Sequence, residues 1–418
     1  MSVRMTHQTL TALVRDASAI RRRRRLQPAG GVGDKLFPPT YPPSDSAKRA
    51  DANAPSRHVF ERRHIGGREA WCVLIDSVQS QANRLEAALL RAAEEGRIEL
   101  PRMSVDFGPS GLNSIGSITS LDAPHRVFDA ILRDSMLDGV ALPKTALGEG
   151  LRRATLRDAS AILEASPSAL LFGAWNSTGE GGGVGAKFTR AIVSEVIGVD
   201  VPVEEVVDRR NGEVEVRTAG RRTGSRIDPL GVLRSVEVFK GGLGWDISEA
   251  AAGKGAKRVR PSEVNHGNIA PSVSPHGITC SYAEQTVVIT LAGLRRLRFG
   301  GSAARDVAAR AMIAALGLLA LVEQDAQGYA LRSRCDLVCE GPAPIEVIGF
   351  DGSVQTMELT RDQAVALYRE AINAARAEGF ALAAEPVQLL PQEKLVHIVR
   401  ESMTKALADE AEVDDAGG

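Results

Sequence analysis

The longest uninterrupted apolar stretch of the chain, residues 311–322, lies within 302–322, which we predict to be one long apolar helix. At 12 residues it is well short of the ~20 that a membrane span requires. No apolar segment follows the arginine run 21–25 as a secretory signal would need, and four cysteines are too few for a disulfide scaffold. The chain of 418 residues, 44% hydrophobic and 25% charged, is long enough to bury a sizeable core in about two or three domains. We therefore expect a globular cytoplasmic protein with no membrane partner.

Local patterns predict a mixture of helices and antiparallel strands. Apolar, β-branched or alternating runs predict strands at 70–75, 285–291 and 329–339. The Asp351-Gly352 pair between two β-rich runs predicts a hairpin over 345–359. Helices are predicted at 76–95, 121–137 (with Asp122 as N-cap), 186–197, 302–322, 360–378 (opened by a Thr360/Gln363 capping box) and 392–409. The prolines of 38–43 predict an extended segment, and the glycines of 169–185 a loop. This mixture favours an α+β fold over regular βα alternation.

Charge is unevenly distributed along the chain. Residues 1–68 contain 14 Lys and Arg against 5 Asp and Glu, whereas residues 341–418 contain 6 against 14. Such separation predicts a basic, proline-rich arm for polyanions and a solvated acidic tail. The two ends could equally let the head of one copy meet the tail of the next.

Several motifs that suggest chemistry fail on spacing. The glycine-rich segment 177–187 lacks the Gly-Lys-Ser/Thr ending of a nucleotide P-loop, because Ala186 precedes Lys187 and Phe188 follows it. It could still approach nucleic-acid phosphate through backbone amides, with Lys187 and Arg190 behind it. Cys335 and Cys339 have no histidine pair nearby, so we expect neither a metal site nor a cofactor.

Two histidines leave an enzymatic alternative open. His266 and His276 flank a short loop and could serve as acid and base for RNA cleavage through the 2′-hydroxyl. On this alternative the protein is a metal-independent, RNA-processing endonuclease, and hydrogen-bonded loop histidines are the other interpretation. A small-molecule enzyme would need a pocket of convergent titratable groups, for which the sequence supplies no candidate triad.

Arginine clusters favour a different role. Arg295, Arg296 and Arg298 precede a Gly-Gly pair, and Arg332 and Arg334 fall on one predicted strand. Guanidinium groups suit phosphate contact and base stacking, although each could instead form a surface salt bridge. With only 4% aromatic residues, a nucleic-acid-binding chain of this kind is expected to hold the backbone without reading sequence.

Six segments, taken in order, resemble one family. They are LIDSVQSQANRLE (74–86), APHRVFDAILRDS (123–135), SPSALLFGAWNS (166–177), PSEVNHGNI (261–269), LAGLRRLRF (291–299) and LRSRCDL (331–337). Their order over roughly residues 35 to 340 resembles the backbone (RAMP-type) subunit of type I-G, formerly I-U, CRISPR Cascade complexes, the Csb-one family.

The resemblance implies a ferredoxin-like (RRM-like) palm with inserted finger and thumb elements. It implies a non-catalytic subunit, present in several copies in a head-to-tail filament, that holds CRISPR RNA (crRNA) and exposes it for pairing with a target DNA strand. The other implied partners are the large subunit, a fused repeat-processing or cap subunit, and a recruited helicase-nuclease. On this basis we divide the chain into an arm (1–68), a first palm part (69–200), an inserted mobile lobe (201–260), a second palm part (261–380) and a C-terminal helix with an acidic tail (381–418).

The candidate RNA-binding residues are the polar and basic members of these motifs and of the glycine-rich segment. They are Gln81, Asn83, Arg84, His125, Arg126, Lys187, Arg190, His266, Asn268, Arg295, Arg296, Arg298, Arg332 and Arg334. No catalytic residue is predicted.

Overall fold

Helices and mostly antiparallel strands build two compact units in the computed structural model, which describes residues 3–42, 57–176, 187–207 and 214–417. Unit one comprises Met1–Arg217 and Ile278–Gln392, and unit two comprises Thr218–Gly277 and Glu393–Gly418. The predicted mixture of helices and antiparallel sheets is confirmed.

The elements are numbered in chain order. The strands are β1 (Val3–Arg4), β2 (Ala17–Pro28), β3 (Phe60–Ile65), β4 (Arg68–Asp76), β5 (Met103–Asp106), β6 (Ser117–Thr119), β7 (Ser135–Leu137), β8 (Val140–Ala141), β9 (Ala174–Trp175), β10 (Lys187–Phe188), β11 (Ile192–Val199), β12 (Val203–Val207), β13 (Val214–Thr218), β14 (Arg222–Arg226), β15 (Val238–Gly241), β16 (Gly244–Asp246), β17 (Lys257–Val259), β18 (Ile269–Ser274), β19 (Tyr282–Thr290), β20 (Tyr329–Arg332), β21 (Cys335–Cys339), β22 (Ile345–Gly349), β23 (Val354–Glu358) and β24 (Val387–Pro391). The α-helices are α1 (His7–Asp16), α2 (Val78–Glu94), α3 (Ala130–Arg133), α4 (Ala146–Arg153), α5 (Ser160–Ala165), α6 (Ser168–Phe172), α7 (Leu291–Leu294), α8 (Ala303–Gln327), α9 (Arg361–Ala377) and α10 (Glu393–Gly417).

A ten-stranded sheet forms the framework of unit one. Its strand order is β1-β23-β22-β2-β19-β11-β4-β3, and β21 adds to β2 and pairs with β20. All of these pairs are antiparallel except β1 with β23. The 12-residue strand β2 has a continuous register with β19 from Ala19↔Thr290 to Leu26↔Ala283. β2 is therefore a central strand that joins the two halves of the sheet.

The apolar helix α8 lies at the centre of the helical layer. Residues 309–324 are all buried, as expected for a helix that is apolar on every side. It packs against α1, α2, α6 and α9. Gly317 lets it approach the sheet closely, since a Cβ there would lie 2.9 Å from the Ile289 Cδ1 atom. In the part of the chain that the structure describes, no helix combines the length and apolarity needed to cross a membrane.

The arginine run is not part of an arm, and this corrects the sequence interpretation. Residues 21–25 lie within the central strand β2, where Arg22 is only 2% exposed. Its Nη1 atom lies 2.6 Å from Asp325 Oδ2, and its Nη2 atom donates to Gln285 Oε1 at 3.0 Å. Arg24 Nη2 contacts the same Asp325 carboxylate at 2.8 Å. The counter-charge comes from α8, about 300 residues away in sequence, so no local pattern indicated it.

The opposite face of β2 is also largely occupied. Arg21 Nε contacts Glu346 Oε2 of β22 at 2.6 Å, and the Arg25 guanidinium lies 4.1 Å from the centre of the Tyr282 ring. Arg23 is exposed. Four of the five arginines in the run therefore already contact groups of the same chain.

Several local predictions are confirmed. Helix α2 begins after Ser77, whose side chain accepts from Ser80 N–H, and the Thr360/Gln363 capping box opens α9 with both of its hydrogen bonds formed. The hairpin β22–β23 turns at Gly352, where φ is +82°. The apolar helix, the C-terminal helix and the strand β4 also lie where the sequence predicted them.

Other local predictions are wrong. The predicted helix 121–137 is a 3-10 turn (Arg126–Phe128), the short helix α3 and the strand β7, with Asp129 as the cap of α3. The predicted helix 186–197 is mainly β10 and β11, because β11 pairs with β19 on one side and β4 on the other. The predicted strand 329–339 is a hairpin that turns at Arg334, where φ is +56°. Most of the predicted loop 169–185 lies outside the described residues, and its described start is helix α6 and strand β9.

Smaller sheets complete the two units. In unit one, β6-β5-β24-β7-β8 form a five-stranded sheet, and β9 pairs with β10 and β12 with β13. Unit two contains the pair β14–β18, the sheet β16-β15-β17 and helix α10. The predicted lobe, 201–260, overlaps the Thr218–Gly277 segment of unit two.

We predict that Arg22→Met lowers the free energy of unfolding by about 3 kcal/mol, because it leaves the partly buried Asp325 carboxylate with less of its counter-charge. Chemical denaturation measures this change. Arg23→Met, one residue along the same strand but exposed, is the matched control and should change stability by no more than about 0.5 kcal/mol. Equal losses from both variants would contradict the structural role of Arg22.

Candidate nucleic-acid interface

An exposed group of arginines in unit one is the candidate interface. After α7 the chain runs antiparallel to residues 155–159. Arg298 N–H donates to the Leu156 carbonyl at 2.9 Å, and Ala159 N–H donates to the Arg298 carbonyl at 2.8 Å. This pairing places the turn containing Arg157 next to the Arg295–Phe299 segment, although more than 130 residues separate them in sequence. Arg152, at the end of α4, lies three residues before this turn begins.

We call Arg152, Arg157, Arg296 and Arg298 the arginine patch. Arg152, Arg157 and Arg296 are exposed, and among the described residues their side chains have neither an ion pair nor a hydrogen bond. The Arg298 side chain is 63% exposed and holds the buried Asp306 carboxylate at 2.7 Å. Asp158 is the exposed carboxylate in the same turn. The patch therefore has more cationic than anionic side chains.

This arrangement can bind phosphates. Guanidinium groups donate several hydrogen bonds in one plane and suit bidentate contact with phosphate oxygens. Such contacts carry no base information, so they would bind strands of any sequence. Sequence reasoning identified Arg296 and Arg298 but missed Arg152 and Arg157, because only the backbone pairing at Leu156 and Arg298 brings them together.

Arg295 differs from its neighbours. Its Nη1 atom donates to the Ala17 carbonyl at 2.7 Å and to the Val14 carbonyl at 3.2 Å. Its guanidinium lies 4.9 Å from the centre of the Phe350 ring. Arg295 therefore holds the end of α1 against β2, and its primary role is structural.

Three further predicted residues converge on one buried carboxylate. The Asp76 carboxylate accepts from Gln81 Nε2 at 2.7 Å, Arg84 Nε at 2.9 Å and Arg332 Nη2 at 2.8 Å. Arg332 also donates to the Ile75 carbonyl at 2.7 Å. The structure thus brings these residues together, but their donors are directed into the core.

Gln81 is fully buried and belongs to a network of amide side chains. Its Oε1 atom accepts from Ser194 Oγ and from Gln285 Nε2, both at 2.8 Å, and Gln285 Nε2 also donates to Gln324 Oε1 at 2.9 Å. A side chain with no exposed surface cannot touch RNA in this structure. The prediction that Gln81 binds RNA is therefore corrected to a structural role, whereas Asn83, two residues further along α2 and on its opposite side, is exposed.

Arg126 is also buried, at 7% exposure. It forms a bidentate pair with Glu86 at 2.6 and 2.7 Å and donates to the Gly173 carbonyl at 2.9 Å. Because Arg126 is buried, as Gln81 is, the prediction that it contacts RNA is corrected to a structural role. Its neighbour His125 is exposed. Burial raises the pKa of Glu86 to about 7, although the Arg126 guanidinium opposes this rise.

The remaining candidates in unit one lie on the surface or near it. Arg190 Nε donates to the Phe172 carbonyl at 3.2 Å, and burial together with the Arg126 charge lowers its pKa. Lys187 is exposed on β10, and its Nζ atom lies 5.7 Å from the centre of the Trp175 ring. Arg334 is exposed and packs over the Phe37 ring at 4.7 Å.

His266 and Asn268 belong to unit two. The His266 ring is half-buried and packs edge-on against Trp245, with 5.2 Å between ring centres. The Asn268 side-chain oxygen accepts from Asp228 N–H at 2.7 Å, and Asp228 Oδ2 accepts from Gly267 N–H. Both residues therefore help to hold the loop in which they lie.

The cysteines of β21 and one cavity are two further features that could hold a ligand. Cys335 is buried and Cys339 exposed, and within the described ranges no group of three His, Cys, Asp or Glu is placed to hold a metal ion. A cavity of about 410 Å³ lies between the end of α2 and helix α9. Two of its five charged lining residues are in ion pairs, Arg97 with Glu323 and Glu99 with Arg376.

Glu86→Gln tests the ionisation of the buried pair. Since the pKa of Glu86 is raised from 4.5 to about 7 on folding, the folded state binds more protons in this window, and the free energy of unfolding falls as pH rises through it. We predict that relative to Glu86→Gln, which cannot ionise, the natural protein loses up to about 3 kcal/mol between about pH 5 and about pH 8. Chemical denaturation at both pH values measures this. Glu149→Gln, at an exposed surface pair with Arg153, is the control, and an identical pH profile for both variants would contradict the assignment.

Part of the chain is similar to a known protein family. Residues 20–203 match a family described as CRISPR-associated protein GSU0053. The matched region runs from β2 to the beginning of β12, contains Arg152 and Arg157, and covers a little under half of the chain. A search of curated proteins gave no match. Over this region the chain is similar to that CRISPR-associated family.

Proposed function

We propose that this protein is a non-catalytic, crRNA-binding backbone subunit of a type I (I-G) Cascade complex. The observation that carries the proposal is the arginine patch, an exposed cationic surface on a chain that matches a CRISPR-associated family. A guide strand varies in sequence, so its carrier must hold sugar and phosphate and leave the base edges free. Unpaired guanidinium groups of Arg152, Arg157 and Arg296 meet that requirement.

Strand order supports a ferredoxin-like palm at the centre of unit one. The neighbours β22-β2-β19-β11 correspond to the order 4-1-3-2 when the four strands are numbered along the chain as β2, β11, β19 and β22. Helix α2 lies in the connection between β2 and β11, and α8 in that between β19 and β22. Both helices pack against each other, and α2 also packs on β11. We infer that these six elements are the palm, and that the hairpin β3–β4 is an addition to its edge.

The finger and thumb elements of the proposal are insertions into this palm. The segment Thr218–Gly277 enters between β11 and β19 in sequence and forms most of unit two. It contains nine Lys and Arg against five Asp and Glu. We propose it as the inserted lobe, with a net positive charge that suits a nucleic-acid partner.

The proposed partners follow from this role. Several copies would line one crRNA head to tail and present it to a target DNA strand. The large subunit, a fused repeat-processing or cap subunit and a recruited helicase-nuclease would complete the interference machinery. Native expression beside a CRISPR array should yield the protein with short RNA of near-uniform length, and recovery of an RNA-free monomer would contradict the proposal.

The double variant Arg157→Gln/Arg296→Gln tests the arginine patch. Loss of two phosphate contacts should weaken RNA binding by about tenfold or more, equally for unrelated guide sequences, and should reduce the slope of log K against log salt by about 1.4. Fluorescence anisotropy over a salt series measures both quantities.

The matched control is Arg23→Gln/Arg25→Gln, which removes two exposed arginines of β2. Its affinity should remain within about twofold of the natural protein. A loss confined to some sequences, or an equal loss in the control, would contradict backbone binding at the patch. Gel analysis of the same reactions would reveal cleavage of repeat RNA, the outcome expected of an endonuclease.

A further inference from the structure

We propose that Trp175 is a stacking platform for one base of a single-stranded nucleic acid, with Lys187 beside it to contact the adjoining phosphate. This inference rests on the proposed RNA-binding function and assigns one site within it. The site lies on the two-stranded ribbon β9–β10, where Lys187 pairs with Trp175 and Phe188 with Ala174.

Alternation along the ribbon directs the two functional side chains outward. Ala174 and Phe188 are buried, at 7% and 3% exposure, whereas Trp175 is 54% exposed and Lys187 is exposed. Tryptophan is a large apolar residue whose exposure is costly, and exposed aromatic rings concentrate where they meet a partner. Trp175 therefore has a flat, accessible ring on an otherwise well-packed ribbon.

The charge beside this ring matches a nucleotide. Lys187 Nζ lies over one face of the Trp175 ring, 5.7 Å from its centre, so the opposite face is the one proposed for the base. Among the described residues the ammonium has no carboxylate partner. An indole face stacks on any of the four bases because each has a π-face, and the ammonium supplies a contact for the backbone phosphate. Ring and cation together suit a nucleotide without selecting its base.

Buried contacts hold the start of the ribbon in place. The Gly173 carbonyl, directly before Trp175's strand, accepts from Arg126 Nη1 at 2.9 Å, and the Phe172 carbonyl accepts from Arg190 Nε at 3.2 Å. Gly173 has a φ of +86°, and a Cβ there would lie 3.0 Å from the Arg190 backbone nitrogen. Arg126 is itself held by Glu86. A rigidly supported ring loses little conformational freedom when a base stacks on it.

The other two tryptophans differ from Trp175. Trp71 is half-buried in β4, with the Arg62 guanidinium 4.8 Å from its ring centre and Arg62 paired to Glu205 at 3.2 Å. Trp245 packs against His266. Trp71 is therefore a suitable control, because the cation beside it, Arg62, is already paired with a carboxylate.

The experiment compares an unstructured oligouridine RNA with an abasic RNA of equal length, which keeps the ribose-phosphate backbone and lacks the bases. Full-length protein freed of copurifying nucleic acid should bind oligouridine about tenfold more tightly than the abasic strand. Trp175→Ala should lose this preference and bind both strands with the abasic affinity. Trp175→Phe should retain most of the preference, and Trp71→Ala should retain all of it.

Tryptophan emission provides a readout that a purely structural role would not move. Oligouridine should quench the emission of the natural protein and of Trp71→Phe, whereas quenching should be lost in Trp175→Phe. If the natural protein binds neither RNA, the proposed function itself fails. If it binds RNA but Trp175→Ala keeps the preference for bases, or weakens both strands equally, only the stacking site is overturned.

Discussion

A buried arginine in the central strand is the interaction on which the framework depends. Arg22 lies on β2, contacts Asp325 of α8 and donates to Gln285 of β19, so one side chain links the two middle strands to the central helix. Gln285 extends the connection to Gln81 and Gln324. Arg22 Nη1 and Nη2 have partners in this network, whereas Arg22 Nε is buried without one. In a low-dielectric interior, removing a partner from such a network is costly.

This use of arginine in the core changes which cations are available for a ligand. Arg84 and Arg332 neutralise Asp76, and Arg126 neutralises Glu86. Arg157 and Arg296 are two of the cationic side chains that have no partner among the described residues. An arginine is thus buried in an ion pair where another element places a carboxylate within reach. Where none is within reach, its guanidinium stays free to bind a ligand.

One of these buried ion pairs also holds the ribbon that carries Trp175. The Glu86–Arg126 pair holds the Gly173 carbonyl, from which the ribbon carrying Trp175 begins. Along the chain, the family match covers this pair and this ribbon's strands, and it ends before the inserted segment Thr218–Gly277. The proposed function depends on the cationic and aromatic side chains that this core positions at the surface.

Short-range patterns were enough to predict the capping box at Thr360, the hairpin turn at Gly352, helix α2 and the apolar helix α8, because each depends on neighbours within a few residues. They failed for β11, whose strand conformation depends on ladders with β4 and β19. The sequence by itself thus determined the mixed α+β class and the presence of many arginines. Only the tertiary structure decided that Arg22 is a core residue and Arg157 a surface cation. The reason is that Asp325, the carboxylate that pairs with Arg22, belongs to a helix about 300 residues from β2 in sequence, and no local pattern indicates such a partner.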